Sequence, residues 1–299
     1  MTNKLGLHAN VWVAGWSRDE AARAVDRTAA QGFDLVEIPA LSPERLDPDN
    51  TRRLLEAAGI GVALSLGLDE ATDISSGDPA RVAAGEAKLL ETIAVARDLG
   101  ATHVCGILYS AFRKYSEPPT PEGLKTSVAT MAKVAERAAA SGITLGMEVV
   151  NRYETNLINT AAQAVEYCRL VDAPNVGIHL DVYHMHIEEV DPVAAIEETG
   201  DLLAYFHTGD SHRGYMGTGS VDLKGAFRAL SRIGYAGPIT YESFSSRVVG
   251  QPLTGILGIW RETWEDGDDI VAHAMTYTRA QLKAAAESRR RSRLVGRDG

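Results

Sequence analysis

The stretch ARVAAGEAKLLETIAVARDLGATHVCGIL, residues 80–108, contains the unit that decides the fold. Its first part, residues 80–100, is an alanine- and leucine-rich helical pattern that ends in glycine, which readily adopts the left-handed conformation that closes a helix. Its second part, residues 102–108, is a short apolar run that indicates a buried strand. A helix followed directly by a buried strand is the repeating unit of α/β proteins.

The same alternation runs along the whole chain. Further helical patterns are predicted at 19–32, 125–142 and 222–235, and strands at 5–12, 34–38, 61–66, 102–108, 144–150, 176–181, 203–207 and 238–243. Eight strands separated by helices in 299 residues predict the α/β class and a single (β/α)8 TIM barrel. A Rossmann sheet is disfavoured because no G-x-G-x-x-G fingerprint joins a strand to a long helix.

The sequence shows no linker that would divide the chain into two domains. We therefore expect one barrel domain over residues 1–285. The remaining segment, 286–299, is basic and contains Arg289, Arg290, Arg291 and Arg293. It is expected to be a flexible tail, because disorder concentrates at chain termini.

Composition excludes several classes of function. The net charge of −10 argues against a nucleic-acid partner, and no apolar run approaches the roughly 20 residues of a membrane span. The N-terminus lacks the apolar core of a signal peptide. The only cysteines, Cys105 and Cys168, show no C-x-x-C spacing, which disfavours a disulfide scaffold or a cysteine zinc site. We expect a cytoplasmic protein.

Four consecutive strands end in residues that can bind a metal ion. The fifth to eighth predicted strands supply Glu148, Asp181, His207 and Glu242. Barrel strands converge at their C-terminal ends, and three carboxylates at one mouth would repel each other unless a cation lay between them. Because the set is rich in oxygen, it favours Mn²⁺, Mg²⁺ or Co²⁺ over structural zinc. The alternative is that these residues only solvate the barrel rim.

Other residues near the strand ends are candidates for contacts with a small polar substrate. The polar candidates are Arg152, Glu154, His184, Asp210, His212 and Arg213. The aromatic candidates are Trp16, Phe112 and Phe244, for which core packing is the alternative role. His179 precedes Asp181 by two residues and so points to the same side of its strand. We therefore interpret His179 as a hydrogen-bonded interior residue, and we assign no catalytic role to His186.

Four motifs together resemble one known family. EVVNRYETNLINT (148–160), HLDVYHMHIEE (179–189), HTGDSHRGYMGTG (207–219) and YESF (241–244) are similar to the D-tagatose 3-epimerase family of ketose 3-epimerases. These enzymes are xylose isomerase-like barrels, and the resemblance spans nearly the whole chain. The motifs match the family as a whole better than they match any single member.

The resemblance implies a metal-dependent epimerase that acts on a linear ketose. Its metal, usually Mn²⁺ with Co²⁺ or Mg²⁺ as alternatives, would be held by Glu148, Asp181, His207 and Glu242. The two glutamates would lie on opposite faces of C3, so that one removes the proton and the other returns it through a cis-enediolate. The family usually forms homodimers or homotetramers.

The motifs also imply substrate contacts. By motif, Glu154 would orient the substrate, while His184 and Arg213 would contact O1 and O2. His8 stands where the family often has an aromatic residue, so contacts beyond C3 stay open. The preferred sugar, among D-tagatose, D-fructose or D-allulose and L-ribulose, is not fixed by the motifs.

Other reactions on the same barrel are alternatives. They are an aldose–ketose or hydroxypyruvate isomerase and an inosose-type dehydratase. A more remote alternative is a metal-dependent nuclease of the endonuclease IV kind. Such a nuclease would need more histidines at the strand ends than this sequence places there.

Overall fold

The computed structural model describes residues 3–295, with side chains to residue 291, and shows a closed barrel. Its eight strands pair in chain order, β1 to β8 and back to β1, and all pairs are parallel. The strands are β1 Leu5–His8, β2 Leu35–Pro39, β3 Gly61–Leu68, β4 His103–Ala111, β5 Thr144–Val149, β6 Val176–Asp181, β7 Leu203–Thr208 and β8 Ile239–Tyr241. The predicted (β/α)8 TIM barrel is confirmed.

The largest differences from the predicted strands lie at β1 and β4. The first strand ends at His8 and not at residue 12, because Ala9–Val11 form a 3₁₀ turn. In this turn the Asn10 N–H donates to the His8 ring, and the Ala9 carbonyl accepts from the N–H groups of Trp12 and Val13. The fourth strand continues three residues past the predicted end, to Ala111. The eighth strand ends at Tyr241, so Glu242 lies one residue beyond it.

Ten helices surround the barrel or cover its ends in the described part of the chain. They are α1 Arg18–Ala30, α2 Pro48–Ala58, α3 Pro79–Leu99, α4 Pro121–Ala139, α5 Ala161–Val171, α6 Val182–Glu188, α7 Pro192–Thr199, α8 Leu223–Ile233, α9 Leu253–Leu257 and α10 Gly267–Val295. Four of the long helices begin with proline after an aspartate or threonine cap, which suits the first helical turn. Gly59, Gly100 and Gly234 close helices in the left-handed conformation, as predicted.

A layer of inward-facing side chains fills the barrel below its mouth. Leu35, Ala63, Cys105 and Tyr205 form this buried cluster. Side chains alternate along a strand, so residues two positions further along β2 and β7 also point inward, one layer closer to the C-terminal mouth. The apolar layer therefore closes the interior beneath the polar residues of the mouth.

The C-terminal segment is helical for most of its length. Helix α10 packs against α8 and runs to Val295, so residues 286–295 are helical where the sequence favoured a flexible tail. Arginine is a good helix former, and basic residues near a helix C-terminus complement its dipole. Residues 296–299 lie outside the described part of the chain. Within residues 3–295, no helix is both long and apolar enough to cross a lipid bilayer.

Candidate active site and metal centre

The C-terminal mouth of the barrel contains the four predicted metal ligands. Glu148, Asp181 and His207 lie in β5, β6 and β7, and Glu242 follows β8 directly. Asp181 and His207 are register partners on neighbouring strands. Ligand atoms of Asp181, His207 and Glu242 lie within 4.8 Å of one another, and an oxygen of Glu148 lies equally close to a ring nitrogen of His207. The fold therefore brings together four side chains that are far apart in the sequence.

Two buried atoms of this group have no hydrogen-bond partner. They are Asp181 Oδ2 and His207 Nδ1. The other carboxylate oxygen of Asp181 accepts from the backbone N–H of Tyr183 at 2.8 Å. An unpartnered buried polar atom costs free energy, and a cation between these two atoms would satisfy both. With three carboxylates and one imidazole, the residues present fit a divalent metal ion that prefers oxygen ligands.

Burial and like charges dominate the electrostatics of the glutamates. Burial raises the pKa of Glu148 well above its usual range, and the carboxylates of Glu242 and Asp181 raise it further. Burial also raises the pKa of Glu242, to about 7, although Arg213 opposes this shift. For Asp181, burial is outweighed by His184 and Arg213, which lower the pKa of its carboxyl group. Both glutamates therefore favour a bound proton or a bound cation over an isolated charge.

A fourth carboxylate, Glu37, lies beside these residues and was not predicted from the sequence. It is fully buried in β2, and its Oε2 lies 2.8 Å from His207 Nε2. Burial opposes both charges but is outweighed, so that Glu37 raises the pKa of His207 to about 10 while the pKa of Glu37 itself is lowered. The sequence did hold a signal: Glu37 is the one charged side chain within the apolar run LVEI.

On the β5–β6 side of the mouth, Asn151 contacts two residues that are predicted to bind substrate, Glu154 and His184. Its side-chain amide donates to Glu154 Oε1 at 3.0 Å and lies 2.8 Å from His184 Nδ1. The backbone N–H of Asn151 also donates to His184 Nδ1, at 3.2 Å. The backbone bond to Nδ1 requires a neutral ring, whose Nε2 lies 3.8 Å from both Glu148 Oε1 and Glu154 Oε2 and 3.3 Å from Arg213 Nη2. Burial lowers the pKa of His184, which favours this neutral form.

On the β8 side, Arg213 is fixed by charge and by aromatic rings. Its Nη1 donates to Glu242 Oε2 at 2.7 Å, and its Nη2 lies 3.9 Å from Asp181 Oδ2. The guanidinium carbon lies 4.0 Å from the ring centroid of Tyr183 and 4.9 Å from that of Phe244. Arg213 has a φ of 57°, a left-handed conformation that is uncommon for a non-glycine residue. The loop after β7 is therefore bent at the position that turns this side chain into the mouth.

A cavity above the four ligand residues includes most of the predicted substrate contacts. It is lined by His8, Asn10, Pro39, Leu41, Ser65, Leu66, Gly67, Gly106, Ile107, Phe112, Glu148, Glu154, His184, Arg213, Glu242, Phe244, Leu253 and Leu257. Among the predicted aromatic walls, Phe112 and Phe244 line it. Its apolar wall also includes Leu41, Leu253 and Leu257, which the sequence analysis did not select.

Trp16 is the exception among the predicted contacts. Its indole is not among the described side chains that line the cavity, and its Nε1 donates to Thr51 Oγ1 in α2 at 3.0 Å. The residue comes after the 3₁₀ turn that follows β1, and the chain there has already left the mouth toward α1. The prediction that Trp16 shapes the pocket is therefore replaced by a packing role between the first two helices.

The three remaining polar candidates have structural partners. His212 Nε2 lies 3.0 Å from Thr218 Oγ1, and its Nδ1 accepts from the backbone N–H of Gly214. Arg152 forms a bidentate pair with Glu188 and is mostly exposed, while Asp210 accepts backbone N–H groups of its own loop. His186 lies 3.1 Å from Ser220 Oγ. His179 is buried inside the barrel as predicted, but neither of its ring nitrogens has a hydrogen-bond partner among the described residues. Its Nδ1 lies 3.8 Å from Glu148 Oε2.

Comparison with known proteins places the chain in a family. The model of the xylose isomerase-like TIM barrel matches residues 25–280. A ketose 3-epimerase of Arthrobacter globiformis is 48% identical over 281 residues, which are 94% of this chain and 97% of that protein. The chain belongs to the ketose 3-epimerase family. As epimerases, members of this family are isomerases.

Further relatives agree with this family assignment. An L-ribulose 3-epimerase of a Methylomonas species is 43% identical over 272 residues, 91% of this chain and 95% of that protein. The crystal structure of a Methylomonas D-allulose 3-epimerase in complex with D-allulose has a TM-score of 0.92 at 42% identity, covering 94% of this chain and 97% of that chain. The barrel of this chain is thus similar to that of a ketose 3-epimerase over nearly its full length.

Proposed function

We propose that this protein is a metal-dependent ketose 3-epimerase that inverts C3 of a free ketohexose or ketopentose. The observation that carries the proposal is the pair of carboxylates Glu148 and Glu242. They reach one cavity from β5 and from the end of β8, and Asp181 and His207 lie on the two strands between them. A two-base epimerisation needs two carboxylates on different sides of one carbon, whereas a one-base isomerisation needs only one.

The two glutamates would share the proton transfer. One carboxylate takes the proton from C3, and the other gives a proton to the opposite face of the resulting cis-enediolate. In the reverse direction the two residues exchange roles. The raised pKa of Glu242, about 7, suits this work, because a group that alternates between base and acid performs best when its pKa is close to the working pH.

The metal site is proposed from the same residues. Glu148, Asp181, His207 and Glu242 would hold one divalent ion, with Mn²⁺ as the first choice and Co²⁺ or Mg²⁺ as alternatives. When bound, such an ion supplies Lewis-acid stabilisation of the negative charge that develops on the substrate oxygens. The unpartnered Asp181 Oδ2 and His207 Nδ1 support this assignment.

Hydrogen-bonding groups around the glutamates would orient the ketose. His184 Nε2 and Arg213 Nη2 lie 3.3 Å apart at the cavity, and these two side chains are proposed to contact O1 and O2. Glu154 offers an acceptor to a hydroxyl group near the same end. His8, Phe112 and Phe244 are proposed to contact the part of the sugar beyond C3, since all three line the cavity.

The charges of the cavity favour an unphosphorylated sugar. Arg213 is the only arginine or lysine among the described residues that line it, and its guanidinium already faces Glu242 and Asp181. A phosphate dianion would be brought close to several carboxylates without a free cationic partner. The same acidic lining disfavours the endonuclease alternative.

Solvent isotope exchange tests the reaction. The Mn²⁺-loaded enzyme is incubated in D₂O with D-tagatose, D-fructose, D-allulose or L-ribulose, and the products are analysed by NMR. We expect the C3 epimer with deuterium at C3. Deuterium confined to C1 would instead support an aldose–ketose isomerase, and loss of water from a cyclic polyol would support a dehydratase. Initial rates across the same panel with Mn²⁺, Co²⁺ and Mg²⁺ identify the preferred sugar and metal.

We also propose a homodimer or homotetramer in the cytoplasm. Trp260 and Ile256 are exposed at 73% and 48%, and both lie in the segment that leads from α9 toward α10. Large apolar side chains at a surface are typical of subunit contacts. Both cysteines are buried free thiols, which suits a reducing compartment. Light scattering of the wild type and of Trp260→Ser tests the assembly, because a monomeric wild type would rule it out.

A further inference from the structure

Glu37 occupies a position that the proposed reaction does not explain. It lies on β2, while the metal ligand His207 lies on β7, with β8 and β1 between these strands around the barrel. Its side chain nevertheless reaches across the interior to His207 Nε2 at 2.8 Å. A fully buried carboxylate is costly unless it is paired, so its presence calls for a physical reason.

The geometry selects one form of the His207 ring. A ring nitrogen that faces an ionised carboxylate at hydrogen-bond distance carries the proton, so Nε2 donates to Glu37. The proton-free nitrogen of the neutral ring is then Nδ1, which is buried, has no hydrogen-bond partner and lies near Asp181 and Glu242. Only a nitrogen without a proton can bind a metal ion. Glu37 thus leaves the correct nitrogen available.

A second histidine, His8, lies beside the other carboxylate oxygen of Glu37. His8 Nδ1 accepts from the backbone N–H of Asn10 at 3.3 Å, so its ring proton is on Nε2. That Nε2 lies 3.8 Å from Glu37 Oε1, a buried atom with no hydrogen-bond partner. Glu37 and His8 are also register partners on β2 and β1. The carboxylate therefore lies between a ring that lines the substrate cavity and a ring that faces the metal site.

We propose that Glu37 is a positioning residue that fixes the tautomer and orientation of His207 for metal binding. The proposal rests on the metal site of the proposed function and adds a residue outside the ligand set. A carboxylate behind a metal-bound histidine orients the ring and makes it a stronger ligand, and loss of such a partner weakens metal affinity.

Metal affinity is the first test. Mn²⁺ binding to full-length protein is measured from the electron paramagnetic resonance signal of the free ion, for wild type, Glu37→Gln and Asp73→Asn. Asp73 is a matched control, because it is also a buried carboxylate but bonds to Tyr115 and Ala111 and not to a ligand residue. We expect Glu37→Gln to weaken Mn²⁺ binding about 10- to 100-fold and Asp73→Asn to leave it nearly unchanged. Equal affinities for Glu37→Gln and wild type would overturn the proposal.

A spectroscopic test needs no variant and covers the case in which Glu37→Gln does not fold. Wild-type protein with ¹⁵N-labelled histidine is loaded with diamagnetic Mg²⁺, and the ring nitrogens are observed by long-range ¹H–¹⁵N correlation. We expect one ring with a protonated Nε2 and a Nδ1 resonance that moves on Mg²⁺ addition. A metal-sensitive ring with a protonated Nδ1 would contradict the proposal. Neither readout depends on turnover, so an enzyme whose metal affinity depends on Glu37 but that exchanges no hydrogen at C3 would refute only the proposed reaction.

Discussion

The two glutamates of the mouth have the same chemistry and nearly the same burial, but different surroundings. On the β5–β6 side, Glu148 faces ring nitrogens of His179 and His184 at 3.8 Å. On the β8 side, Glu242 accepts a charge-assisted hydrogen bond from Arg213 at 2.7 Å. One carboxylate is therefore surrounded by histidines whose pKa values burial lowers, and the other is paired with a permanent cation.

This difference separates the proton affinities of the two residues. Burial raises the pKa of both carboxyl groups. At Glu242 the guanidinium of Arg213 opposes this shift, and the pKa is about 7. The pKa of Glu148 is raised well above its usual range. Two carboxylates whose environments push their pKa values apart are suited to act as base and acid in one step. As the pH rises, Glu242 therefore loses its proton before Glu148 does.

Removing either carboxylate should have the largest effect. We expect Glu148→Gln and Glu242→Gln each to lower kcat for epimerisation about 100- to 10,000-fold, because an amide can neither take nor give the C3 proton. Each variant keeps one base, so each should still exchange the C3 hydrogen of one epimer with D₂O, and the two variants should differ in which epimer exchanges. Measurement of exchange for both epimers therefore assigns each glutamate to one face of C3. A variant that epimerises near the wild-type rate would disprove the two-base mechanism.

Arg213→Ala should have the next largest effect and should act mainly on the Glu242 side. Arg213 lowers the pKa of Glu242, so its removal should raise that pKa. The ionised form would then appear only at higher pH, and the acid limb of the profile of kcat/KM against pH should move upward, with a fall of about 100-fold near neutral pH. The profile of Asn151→Ala provides the control. If both variants shift the acid limb equally, the two sides do not differ as proposed.

The sequence was sufficient to predict the fold and to bring the four proposed ligand residues together, because both follow from regular patterns. Strand ends at fixed places in an α/β repeat put Glu148, Asp181 and His207 at one mouth. Glu37 was missed because contacts across the barrel interior depend on register and tilt, which period-two alternation does not give. The sequence did not give the position of Trp16, because the chain forms a three-residue turn at Ala9–Val11. After this turn the chain leads away from the mouth, and the indole lies outside it.

On the β5–β6 side, Asn151→Ala should have a smaller effect. It removes a donor to His184 Nδ1 and the bond to Glu154, but the backbone N–H at residue 151 still donates to His184. We expect kcat/KM to fall about 10-fold, mainly from the loss of one side-chain hydrogen bond per partner. Arg152→Ala is the matched control, because that neighbouring side chain is mostly exposed and pairs with Glu188. Equal losses in the two variants would show that Asn151 supports only the loop.

Substitutions of the aromatic residues should have the smallest effects, because these residues are assigned to neither glutamate. Phe112 lines the cavity and packs on the end of β3, since a Cβ at Gly67 would lie 2.9 Å from its Cδ1. Phe112→Ala should therefore raise KM several-fold with little change in kcat, because the ring contacts ground state and transition state alike. Trp16→Phe removes the bond from Nε1 to Thr51 and part of the ring's packing, so KM should stay unchanged while the melting temperature falls. A rise in KM for Trp16→Phe that matches Phe112→Ala would mean that the indole reaches the substrate after all, and the cavity would then extend past the 3₁₀ turn.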